Sequence, residues 1–94
     1  MLLIVHLLKW KYQPDKRTNS WETSIENARD EIDELLRCSP SLGAKLEESL
    51  RIAYRRARRT AGTEMRLSRQ EREARLPAAC EWSLTELRDN DFWP

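Results

Sequence analysis

Leu2-Leu3-Ile4-Val5-His6-Leu7-Leu8-Lys9-Trp10-Lys11-Tyr12 is apolar on nearly every side of a helix drawn through it, and its reading decides the fold. A helix that is apolar all round needs cover all round. Length alone leaves a short buried strand open, but leucine-rich content with few β-branched residues favours a helix over 2–12. Pro14 ends it, because the residue before a proline is pushed out of helical geometry. The run is too short to cross a bilayer. No basic region precedes it and no small-residue cleavage site follows it, so it does not read as a secretory leader. The expectation is a cytoplasmic, soluble protein with no membrane partner.

The remainder of the 94 residues must supply the cover. After a polar connection at 15–19, Trp21, Ile25, Ala28, Ile32, Leu35 and Leu36 fall on one helical stripe. Asn19 or Ser20 can cap this second helix, with Glu22 as the reciprocal partner of Asn19 in a capping box. Cys38-Ser39-Pro40 stops it. Ser39 and Pro40 then start a third helix. Its apolar stripe is Leu42, Leu46, Leu50, Ala53, Tyr54, Ala57 and Ala61, and Gly62 is its expected C-terminal cap. The very short turn predicts an antiparallel hairpin of these two helices. Beyond Gly62, residues 68–75 can form a short charged helix before Pro77. Ser83-Leu84-Thr85-Glu86 has the capping-box spacing and starts a last short helix. The tail carries Trp82, Leu84, Leu87, Phe92 and Trp93, too apolar to fray, so it is expected to fold back. The fold class is all-α: one domain over 1–94, a short buried N-terminal helix on a long hairpin, and an irregular C-terminal segment.

Charged residues make up 35% of the chain, yet the net charge is only +1, so no global field argues for an anionic partner. The sum hides an asymmetry. Residues 22–38 hold six acids against two arginines, and residues 51–75 hold nine arginines against three acids. Cross-helix pairing between these sets, with a local Glu47–Arg51 pair, is the favoured reading for the arginines of the third helix. Arg55, Arg59, Arg66, Arg69 and Arg72 are the candidate anion-contacting residues should they remain free.

No catalytic constellation is legible, and an enzyme is not expected. His6 is the only histidine and has no titratable neighbour at helical spacing except Lys9. Lys9, Trp10, Lys11 and Tyr12 could stack on a single strand, but the aromatics read better as packing groups with the lysines reaching water. Glu26, Asp30, Asp33 and Glu34 lack the E-x-x-H companion of a helical metal site. No glycine-rich phosphate loop occurs, and no cofactor is expected. Cys38 and Cys80 have neither metal-site nor disulfide-framework spacing.

His6-Leu7-Leu8-Lys9-Trp10-Lys11-Tyr12-Gln13-Pro14, followed by Arg17, Ser20-Trp21, Ser39-Pro40-Ser41-Leu42, Ala53-Tyr54, Ala57-Arg58 and the ending from Cys80 to Asp91-Phe92-Trp93-Pro94, resembles domain-of-unknown-function family 29. That is a bacterial, all-helical family without an established activity. The resemblance covers almost the whole chain and brings no catalytic residue. Members carry further helical sequence ahead of the HLLKW motif, so the chain resembles the C-terminal part of a family domain. It departs from the family in its arginine-rich 66–75 segment and in Glu81, where proline is usual.

These readings predict an uncovered apolar surface at Leu3, Leu7, Trp10, Trp21 and Ile25. Such a patch marks an interaction site. The leading expectation is therefore a non-enzymatic interaction or oligomerisation module. Its partner would be a second copy or a chain that supplies the missing helices. The alternative is a nucleic-acid-binding protein that uses the arginines of 51–75.

Overall fold

In the computed structural model, which describes Met1–Pro94, the apolar opening is helix α1 (Leu2–Tyr12), followed by a 3-10 turn at Pro14–Lys16. Four further helices complete the fold: α2 (Asn19–Cys38), α3 (Leu42–Glu64), α4 (Arg69–Arg75) and α5 (Leu84–Arg88). There is no strand, so the all-α expectation holds. The hairpin is different from the one expected. α1 packs along both α2 and α3, which barely touch each other. The N-terminal helix is thus the wedge between the two arms. Leu3, Ile4, Val5, Leu7 and Leu8 are all buried there. Each such side chain contributes about 1.5–3 kcal/mol relative to exposure.

Local chemistry sets the helix ends, and three of them differ from the expectation; α3 begins at Leu42 rather than at Pro40, after a turn in which the Leu42 N–H donates to Ser39 O at 2.9 Å. α2 is capped by Thr18, whose Oγ1 accepts the Trp21 N–H at 3.2 Å, one residue before the predicted Asn19. α3 runs past Gly62 to Glu64. It ends on Arg66, at φ 57°, with the Arg66 N–H donating to Thr63 O and the Leu67 N–H to Gly62 O. That pair of bonds is the Schellman arrangement, in which glycine normally takes the left-handed position. Gly62 has another job. A Cβ there would come within 2.9 Å of the Arg72 side chain, so its absence lets α4 lie against α3. Arg66→Gly should therefore raise stability by about 1 kcal/mol, read from urea denaturation.

The short helices are held at both ends. Ser68 with Glu71, and Ser83 with Glu86, form reciprocal capping boxes, the second as predicted. The bonds to Ser68 hold the Glu71 carboxyl below its usual range. At the other ends, arginines from the long helices reach C-terminal carbonyls. Arg58 donates to Leu76 O at 2.9 Å and to Arg72 O at 3.3 Å. Arg29, only 1% exposed, donates to Leu87 O at 2.9 Å and to Phe92 O. Tyr54 donates its hydroxyl to Pro77 O, and burial pushes its pKa up to about 12.

The tail folds back as expected. Trp82 is buried and meets Phe92 edge-on at 6.3 Å. Trp93 packs on Trp10 with ring centroids 4.9 Å apart. Arg17 covers the Trp10 ring at 4.6 Å, and Arg29 lies 5.3 Å from that of Trp93. No helix is long and apolar enough to cross a membrane.

Candidate functional site

The apolar residues expected to form an interaction surface do not form one. Leu3, Leu7 and Ile25 are buried within the chain itself, because α1 is enclosed by α2, α3 and the tail. Trp10 and Trp21 are half-buried. Trp10 sits in the stack with Trp93, and Trp21 lies under the Lys9 ammonium at 5.0 Å. The exposed large apolar side chains are instead Leu2, Leu35 and Ile52. Leu35, assigned to the buried stripe of the second helix, points out of it; Arg29 takes a core position.

The arginine readings also change. No ion pair joins α2 to α3, since α1 separates them. The pairs of α2 are Glu34–Arg37 within the helix and Asp33–Arg88 towards α5. Glu47–Arg51 is not an ion pair either. Of the nine arginines in 51–75, only Arg58 has a carboxylate within 4.0 Å, Glu73 at 3.5 Å. The other two acids of that segment are engaged elsewhere. Glu64 pairs with Lys9 at 3.0 Å, and Glu71 is occupied in the capping box of α4.

This leaves a basic surface on two adjoining helices. Arg51, Arg55 and Arg59 recur every four residues on α3, so they share one face, and Arg56 flanks it. All four are exposed. α4 is held to α3 by the Arg58 bonds and by the seat of Arg72 on Gly62. Arg66, Arg69 and Arg75 are exposed on α4 and the turn before it. Arg72 is half-buried, its stem committed to packing. Of the predicted anion-contacting set, then, Arg55, Arg59, Arg66 and Arg69 present free guanidiniums, and Arg72 is chiefly a packing residue. Arg51, Arg56 and Arg75 join them as exposed arginines with no carboxylate within 4.0 Å.

Other chemistry is sparse. His6 shares a shallow depression with Ser24 and Glu31, but no hydrogen bond joins them, and its buried Nδ1 has no partner. Burial and nearby Lys9 lower its pKa, against an opposing pull from Glu64. Both cysteines are free thiols. Cys80 donates to Trp82 O, and burial raises its pKa, which disfavours the nucleophilic thiolate. No group of three or more His, Cys, Asp or Glu side chains is placed to hold a metal ion.

Comparison with known proteins adds one finding. No curated protein and no solved structure matches the chain. The profile of the family described as "Domain of unknown function DUF29" matches residues 1–93. From the HLLKW opening to the aromatic ending, therefore, this chain belongs to the DUF29 family.

Proposed function

We propose that the chain is a non-catalytic helical module that binds nucleic-acid phosphates through the basic surface of α3 and α4. One observation carries this reading: seven of the nine arginines of 51–75 are exposed without a carboxylate partner, while Glu64 pairs with Lys9, Glu71 caps α4 and Glu73 pairs with Arg58. Guanidinium forks suit phosphate oxygens, and each contact releases a condensed counterion. Contacts to phosphates fix position on the backbone and carry no sequence information directly, so binding is expected to be independent of sequence.

The test is fluorescence anisotropy with labelled single-stranded and duplex DNA across a salt series. Four phosphate contacts on a duplex give a log–log salt slope of about −3.6, and each lost contact lowers its magnitude by about 0.9. Changing Arg55, Arg59, Arg66 and Arg69 together to Gln is expected to weaken binding by about tenfold or more at low salt. These residues are exposed, so the helical circular dichroism should be unchanged. Absence of binding at low salt, or equal binding by the fourfold variant, would falsify the reading.

A further inference from the structure

We propose that a second copy of this chain docks the outer face of its α2 on the outer face of α3. Two of the exposed large apolar residues stand in matched settings of opposite sign. Leu35, 56% exposed, has Glu31 one turn before it and Glu34 beside it, and Asp30 lines the same depression. Ile52, 50% exposed, has Arg51 beside it and Arg55 and Arg56 one turn on. Arg59 follows on the same face.

Neither face is satisfied within the chain. Asp30 and Glu31 have no ion-pair partner, and Glu34 has only Arg37, one turn on in an exposed pair. The arginines are free, as described. The two faces complement each other, yet α1 lies between α2 and α3 and keeps them apart in one molecule. A second copy meets the requirement. Leu35 covers Ile52 while carboxylates of one chain face guanidiniums of the other, the arrangement that sets specificity and register at interfaces. A contact one helix wide with exposed charges is weak and sensitive to salt. The arginine face is also the one assigned to phosphates, so a polyanion and a second copy compete for it.

Sedimentation equilibrium of the full chain tests this. At low salt and high concentration the weight-average mass is expected to rise above the 11.2 kDa of one chain. It should return to that value near 1 M salt, where the Debye length is about 3 Å. Glu31→Lys with Glu34→Lys should give a monomer, and so should Arg55→Glu with Arg59→Glu. The first variant has two basic faces and the second two acidic ones, so their equimolar mixture should associate again. A wild type that stays monomeric at low salt, or a mixture that does not recover, overturns the proposal. Circular dichroism of each variant separates loss of docking from loss of folding. DNA binding keeps the two readings distinct. A wild type that binds DNA but never associates refutes the docking alone, and one that associates without binding DNA refutes the phosphate reading alone.

Discussion

Arg29→Met is expected to lower the unfolding free energy by about 3 kcal/mol, measured by urea denaturation with tryptophan fluorescence. The guanidinium is buried at 1% exposure and donates to Leu87 O and Phe92 O. A buried carbonyl that loses its donor costs about 1–3 kcal/mol. Relief from burying a charge offsets part of this. That burial is the main cause holding the Arg29 pKa below its usual value, with nearby Asp89 opposing it. Arg29 also lies over the Trp93 ring, so the tryptophan emission of the folded variant should shift as the tail loosens. Arg29→Lys should recover little. A single ammonium on a flexible stem lacks the planar fork that serves two carbonyls at once. A loss below about 1 kcal/mol would mean that the tail is held by its aromatics alone.

Leu7→Ala should be comparably severe, at about 2–5 kcal/mol. Leu7 is fully buried in the helix that separates the two long arms. A cavity there is bordered by more than one element, so collapse around it is restricted, and the upper part of the range is expected. Domains of this kind have about 5–15 kcal/mol in total. The variant should therefore be partly unfolded near physiological temperature, seen as an early, broad melting transition. Leu2→Ala is the control. Leu2 belongs to the same helix but is 66% exposed, and its replacement should change stability by less than about 0.5 kcal/mol.

Much of this architecture was legible as pattern. The opening stretch demanded cover on all sides. The stripe of α2 gave a helix face, Ser83 and Glu86 announced α5, and the aromatics of the tail required it to pack. The position of α1 was not legible, because periodicity describes a helix face and says nothing of its neighbour. A helix at one end of the sequence was expected on the outside of a hairpin; it lies inside. That one displacement buried the expected interaction surface at Leu3, Leu7 and Ile25 and separated the acids of α2 from the arginines of α3.

Arg29 lies four residues after Ile25 and three before Ile32, inside the buried stripe, where a charge needs buried acceptors. Ile52 lies off the stripe of α3 among arginines, where an apolar residue marks an exposed contact. Arg66 could not have been found this way, because nothing in its neighbourhood signals a left-handed turn, and Gly62 was the natural choice. The glycine was needed instead for the close approach of Arg72, a contact between helices that no local pattern records.

The enclosed position of α1 has a kinetic consequence. α1 is fully covered only once α3 and the aromatic tail are in place, and both follow it much later in the chain. Its leucines stay in water or associate wrongly until those segments arrive. The Trp10–Trp93 contact closes a loop spanning most of the sequence. Contacts of such long range slow folding, and helical proteins are fast chiefly because their contacts are local. This small helical fold should therefore form more slowly than its helix content suggests.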